Sequence, residues 1–238
     1  MKNINLLNVK IFADGADKNG MIDMYNKSFI KGLTTNPTLM KKAGITDYEW
    51  FAKDVLSIIR DKPLSLEVFS DDLEEMKRQA LKITAWGDNV YVKIPVTNTK
   101  KESTCRIISE LSNQGVKLNI TAIMTLGQVK AVVDSLNPSV SSFVSVFAGR
   151  IADTGIDPLP LMAEAVQITK AKPLAEVIWS SPRELLNIFH ADSIGCQIIT
   201  VTNDILKKLS FVGYDLDEYS LDTVKMFYND ASTAGYSL

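Results

Sequence analysis

The sequence predicts an α/β protein, a (β/α)8 TIM barrel with an extra C-terminal helix. Three observations carry that prediction. Eight short apolar runs rich in strand formers each precede a stretch with helical spacing, the alternation that a parallel sheet requires. Eight such units fill the 238 residues with no linker, low-complexity stretch or break in composition, so 1–238 reads as one domain. The turn after the first strand, ADGAD, holds one glycine, and neither GxGxxG nor GxxxxGK(S/T) occurs. That argues against an open, doubly wound nucleotide-binding sheet.

The elements follow in order. LNVKIFAD (7–14) is the first strand and ends on Asp14; MIDMYNKSF follows with helical spacing. IKGLTTN (30–36) is the second strand, after which Asn-Pro opens a helix, since proline suits a first helical turn. DYEWFAKDVLSIIR (47–60) sets Trp50, Phe51, Val55, Ile58 and Ile59 at a period near 3.6. LSLEVF (64–69) is the third strand, and DDLEEMKRQALKITAWG is a helix with acidic residues in its first turn and a solvated face. NVYVKIPV (89–96) is the fourth strand; the helix around 103–115 is closed by Gly115. VKLNITAI (116–123) and the helix TLGQVKAVVDSL come next, then SSFVSVFAG (141–149) and PLPLMAEAVQITKA. PLAEVIW (173–179) leads to PRELLNIFHADS, and CQIITV (196–201), the eighth strand, to a short helix NDILKKLS. A final helix covers about 216–230.

Composition excludes several function classes. Lys and Arg number 26 against 28 Asp and Glu, a formal charge of −2, with 46% apolar residues. The chain is therefore not disordered, and nothing electrostatic favours nucleic acid or an anionic membrane as partner. No apolar run approaches the roughly 18 residues that span a bilayer. Lys10 interrupts the N-terminal apolar stretch, and Asp14 and Asp17 follow, unlike a signal peptide. Cys105 and Cys196, far apart, read as small buried hydrophobes and fit a reducing cytoplasm. His190 is the only histidine, in a helix, which argues against a His-rich zinc site and a Ser-His-Asp triad.

In a barrel of this kind the active site lies at the C-terminal strand ends. Strand one ends on Asp14, strand two on Thr34, Thr35 and Asn36; strand three carries Glu67, strand four Lys93, strand five Asn119 and Thr121; strand six carries Ser145 and leads to Arg150. Together these describe a polar pocket on one face. Lys93 lies within VYVKIPV. Inside a barrel its amine is pushed toward the neutral, nucleophilic form that makes Schiff bases with carbonyls; on a strand edge it snorkels to solvent. Asp14 and Glu67 facing the same mouth supply the proton transfers of such chemistry, or else Asp14 caps a helix and Glu67 simply pairs with Lys93.

The segments TTNPT (34–38), LEVF (66–69), VKIPVT (92–97) and FAGRIAD (147–153) resemble the transaldolase family, in its short branch shared with fructose-6-phosphate aldolase. The resemblance runs nearly end to end. It implies a class I aldolase barrel without metal or organic cofactor, acting on small sugar substrates. Lys93 matches the Schiff-base lysine, and Asp14 the carboxylate that takes the hydroxyl proton during carbon–carbon cleavage. Glu67 and Thr121 match the pair that holds the catalytic water. Asn36, Asn119 and Ser145 match residues that hold the dihydroxyacetone hydroxyls. Arg150 matches an arginine for the substrate phosphate, a task suited to its forked donors; the alternative is an ion pair with Asp153.

Three positions discriminate within the family. Aldolase members have Gln at the position of Glu67, Tyr at that of Phe147, and no Asn at that of Asn119. The chain takes the transaldolase choice at all three, which favours transfer of a dihydroxyacetone unit over its release. The rival readings are an aldolase that releases free dihydroxyacetone and a sugar-binding barrel without catalysis. One stretch departs from the family: Ile178, Trp179 and Ser180 stand where a Ser-Phe-Arg or Ser-Phe-Lys segment helps hold phosphate. Arg183 is nearby but falls in the following helix. A different anion, a bulkier sugar or an uncharged sugar then becomes a candidate for the distal end. Finally, the tail FYNDASTAGYSL resembles the region that short members pack on a neighbouring subunit in a ring-like homo-oligomer; the alternative is a frayed end.

Overall fold

The computed structural model describes residues 6–236. The start of the N-terminal stretch (1–5) and the end of the tail (237–238) lie outside the described residues. Eight parallel strands close in sequence order into a barrel: β1 Lys10–Asp14, β2 Ile30–Thr34, β3 Leu64–Glu67, β4 Val90–Pro95, β5 Leu118–Ile123, β6 Ser142–Val146, β7 Ala175–Trp179 and β8 Ile198–Thr202. Between and after them run α1 Lys18–Tyr25, α2 Pro37–Lys42, α3 Tyr48–Leu56, α4 Leu73–Thr84, α5 Cys105–Asn113, α6 Leu126–Ser135, α7 Ala148–Ala152, α8 Pro158–Thr169, α9 Leu186–Ser193, α10 Asn203–Leu206 and α11 Leu216–Ala234. A 3-10 helix, Lys207–Phe211, continues α10.

Local chemistry starts these helices where the sequence says. Asp17, Asn36, Asp47, Asp72, Asp157 and Asp215 each accept a backbone N–H in the first turn, and Thr125 with Gln128 forms a capping box on α6. Asp17, not Asp14, caps α1, which leaves Asp14 free for the barrel mouth. Pro37 and Pro158 stand at helix starts, where a missing N–H costs nothing. Gly115 has φ +84 just past α5, a conformation an L side chain resists.

Two expectations need correction. The sixth strand stops at Val146 rather than running to Gly149; Ala148–Ala152 turn into the short helix α7. Cys105 is half-buried at the start of α5, whereas Cys196 is fully buried, with its thiol pushed up to about 12 by burial.

Strand alternation sorts every side chain. Ile11, Ala13, Leu33, Leu66, Val92, Ile94, Ile120, Val144, Val177, Trp179, Ile199 and Val201 join the apolar layer between barrel and helices. A separate cluster of Phe12, Tyr91, Phe143, Ile178 and Ile198 fills the inside. Tyr91 stacks on Phe143 with ring centroids 4.0 Å apart, and Phe12 meets Phe143 edge-on at 5.6 Å. This aromatic plug is the floor on which the site stands. It depends on Gly32, because a Cβ there would come within 2.5 Å of the Phe12 ring. Gly32→Ala should cost about 1–3 kcal/mol of unfolding free energy by forced overpacking. Chemical denaturation reads this, and Phe12→Leu in the same chain should return part of the loss.

Candidate active site

Above the plug every inward position is polar, and strand register sets who meets whom. Glu67 on β3 is the direct cross-strand partner of Lys93 on β4, and Lys93 that of Asn119 on β5. Lys93 is 7% exposed, so it is a buried lysine and not one that snorkels outward. Its Nζ lies 3.2 Å from Glu67 Oε2 and donates to the Thr35 carbonyl at 3.0 Å. A buried ammonium or amine needs such partners, because an unpaired one costs several kcal/mol. Tyr48 donates to the Glu67 carbonyl at 3.0 Å and so anchors the end of β3 from α3.

Asp14 sits at the end of β1, paired in register with Thr34 and Thr202. Its carboxylate accepts from Thr34 Oγ1 at 2.7 Å and from Asn36 Nδ2 at 3.5 Å. Asn36 works twice, since its Oδ1 also caps α2 through the Leu39 N–H at 2.9 Å. Burial pushes the Asp14 carboxyl above its usual 3.8, against the opposing pull of the Lys93 charge and the Thr34 hydrogen bond.

On the far side, Ser145 donates to Asn119 Oδ1 at 2.6 Å, and Asn119 Nδ2 donates to Ser65 Oγ at 2.9 Å. Thr121 Oγ1 is buried with no hydrogen-bond partner among the described residues. Ala122, next in line, has φ +60, at a register shift between β5 and β6. Such backbone strain in a non-glycine residue concentrates at functional sites. After β6, Phe147 opens α7 and the Arg150 guanidinium stands 5.8 Å from its ring centroid. Asp153 is taken by Arg183, which donates Nε to Oδ1 at 2.8 Å and Nη2 to Oδ2, so the Arg150–Asp153 pair does not form. Arg183 also lies outside the helix expected to hold it, because α9 begins only at Leu186.

A cavity of about 670 Å³ gathers Asp14, Thr34, Asn36, Glu67, Lys93, Thr121, Ser145, Phe147, Arg150 and Ser180. Of the polar strand-end residues singled out from sequence, Asn119 and Thr35 are not on its wall: Asn119 is fully buried behind Ser145, and Thr35 is buried with its carbonyl on Lys93 and its hydroxyl donating to the Ser65 carbonyl. Ile178 belongs to the plug beneath, in register with Ser145. Sequence reasoning missed Ser65 and Thr200, and it noted Arg183 but set it in the following helix. Both missed residues follow from period-two alternation with Glu67 and Thr202. Among the described residues, no cluster of His, Cys, Asp and Glu could hold a metal ion, and no helix is long and apolar enough to cross a membrane.

Comparison with known proteins supplies the family. The family described as Transaldolase/Fructose-6-phosphate aldolase matches residues 11–238. The chain is 35% identical over 202 residues to a probable transaldolase of Methanococcus maripaludis strain C5, covering 84% of this chain and 89% of that one. It is 34% identical over 202 residues to a probable transaldolase of Dehalococcoides mccartyi, covering 84% and 90%. A probable transaldolase of Caldicellulosiruptor saccharolyticus is 32% identical over 204 residues, covering 85% and 89%.

The raised carboxyl gives a prediction with a definite sign. The native state holds the Asp14 proton more tightly than the unfolded chain, so stability falls as pH rises from 3.8 through the raised native value. Asp14→Asn should therefore raise the melting temperature at neutral pH, and the gain should shrink as pH falls through that range. A variant less stable than the parent at pH 7 would contradict the assignment of burial as the dominant cause.

Proposed function

The chain belongs to the transaldolase/fructose-6-phosphate aldolase family, and on that premise we propose that it is a Schiff-base transaldolase moving a dihydroxyacetone unit from a ketose donor, phosphorylated or not, to an aldose acceptor. The observation that carries the proposal is Lys93, buried in the pocket and 3.2 Å from Glu67. A lysine there has little structural purpose that an apolar residue would not serve better.

The steps follow from the layout. The free amine of Lys93 attacks the C2 carbonyl, and its proton passes to Glu67 through a water held by Glu67 and the unpaired Thr121 hydroxyl. Loss of water from the carbinolamine gives the imine. Asp14 removes the C4 hydroxyl proton, the C3–C4 electrons flow to the imine nitrogen, and an aldose leaves. The enamine then attacks the aldehyde of a second aldose, Asp14 returns the proton, and water frees the new ketose. A carboxyl raised above its usual value suits a group that must both take and return a proton. Thr34 and Asn36 orient Asp14. Asn36 and Ser145 hold the dihydroxyacetone hydroxyls, with Asn119 acting through Ser145. Arg150 meets the distal anion, and Ser180 and Phe147 line its approach. Phe147 offers no hydroxyl to place a water for protonating the enamine, which supports transfer over release.

The whole chain serves as one barrel domain in this reading, without cofactor, in the cytoplasm. It acts as a homo-oligomer built through α11 and the tail. No residue of α11 is buried, and Val224, Met226, Phe227 and Tyr228 stand exposed along it, more apolar surface than a lone helix leaves in water. Light scattering should report more than one chain per particle; a monomer contradicts the assembly.

The test of function is turnover of fructose 6-phosphate with and without an aldose acceptor. A new ketose should form only with the acceptor, and Lys93→Ala should lower its rate on the order of 10³-fold or more. Phe147→Tyr should shift product toward free dihydroxyacetone. Release of dihydroxyacetone by the parent without acceptor would favour the aldolase reading. No turnover of any ketose would favour a binding barrel.

A further inference from the structure

Arg150 is one of three exposed cations on the cavity wall, with Lys42 and Arg183; it has no ion-pair partner among the described residues, and it stands on a helix of only five residues. Such a helix has little rigidity of its own. Something outside it must fix the guanidinium, and the loop after β7 meets it at both ends.

At the N-terminal end, Gly149 N–H donates to the Ser180 carbonyl at 3.3 Å, and Ser180 N–H donates to the Val146 carbonyl at 2.8 Å. The approach is so close that a Cβ on Gly149 would lie 1.5 Å from the Ser181 carbonyl oxygen. Ser181 itself is held at φ +61. At the C-terminal end, Asp153 follows α7 and is gripped by the fork of Arg183 through two parallel donors. Arg183 in turn is fixed to α9, because its N–H and that of Glu184 both donate to Asn187 Oδ1, at 2.8 and 3.2 Å. Arg150 lies between these two attachments.

We propose that Asp153, through its pair with Arg183, is a positioning residue that holds Arg150 at the distal end of the substrate. The pair is a latch rather than a second anion site, since Asp153 occupies two donors of Arg183 and offsets its charge. This rests on the reading of Arg150 as ligand of the distal anion. The side chains of Arg183 and Asp153 are 45% and 52% exposed, so breaking the pair leaves no buried charge and the variants should fold.

The experiment measures KM and kcat for fructose 6-phosphate and for unphosphorylated fructose with one aldose acceptor, together with melting temperature. Asp153→Asn should raise KM for the phosphorylated donor about fivefold, the size of one well-made exposed ion pair. Its kcat, and both constants for fructose, should stay within about twofold of the parent. The exchanged pair, Asp153→Arg with Arg183→Asp, should recover most of the lost affinity. A fall in KM for Asp153→Asn would show that freed Arg183 binds the anion directly and would overturn the latch. An unchanged KM, or an equal loss on both donors, would also overturn it. Arg150→Ala separates the two levels. If that variant leaves the phosphorylated donor's KM unchanged, the anion reading beneath the proposal fails. If it raises KM while Asp153→Asn does not, only the latch fails.

Discussion

Eight parallel strands closed on themselves leave an interior with room for side chains and little else, and strand alternation decides which ones fill it. Here the filling divides in two. Phe12, Tyr91, Phe143, Ile178 and Ile198 fill the lower layer, with the Tyr91 hydroxyl satisfied by Ser141. The next inward residues, two positions further along several strands, are Asp14, Lys93, Ser145 and Thr200. Nothing below them can be reached by water, so each must find its partners sideways, across a strand boundary. The Lys93–Glu67 pair, the Asp14–Thr34 bond and the Ser145–Asn119–Ser65 chain are those sideways solutions.

That arrangement separates two carboxylates by environment. Glu67 is the in-register neighbour of Lys93 and answers its charge directly. Asp14 stands on β1, two strands beyond Glu67, and is dominated by burial. Groups of one chemical type with distinct surroundings can divide proton transfers between amine and hydroxyl. The same barrel without the plug would put solvent beneath the lysine and lose that distinction.

The fold was legible because its signals are periodic. Eight strands and their following helices follow from alternation and caps, as at Asn36-Pro37 and Asp72, and the closing helix runs Leu216–Ala234 against an expected 216–230. The site residues on strands were legible for the same reason, since Asp14, Glu67, Lys93, Thr121 and Ser145 mark strand ends that a barrel turns inward. What escaped depends on contacts between distant segments. Phe147–Gly149 reads as a continuation of β6 until the loop after β7 is seen packed on Gly149. Arg183 reads as helical until Asn187 is seen capping the loop in front of α9. The retreat of Asn119 behind Ser145 follows from one side-chain bond, which spacing cannot express.

The central claim is that the buried Lys93 amine attacks a ketose. The direct measurement is intact-mass spectrometry after borohydride reduction in the presence of fructose 6-phosphate, followed by peptide mapping and run beside Lys93→Ala. The account predicts an added mass of one reduced dihydroxyacetone unit, confined to the peptide that carries Lys93 and absent from the variant. An adduct that persists in Lys93→Ala, or maps to another lysine, would contradict it.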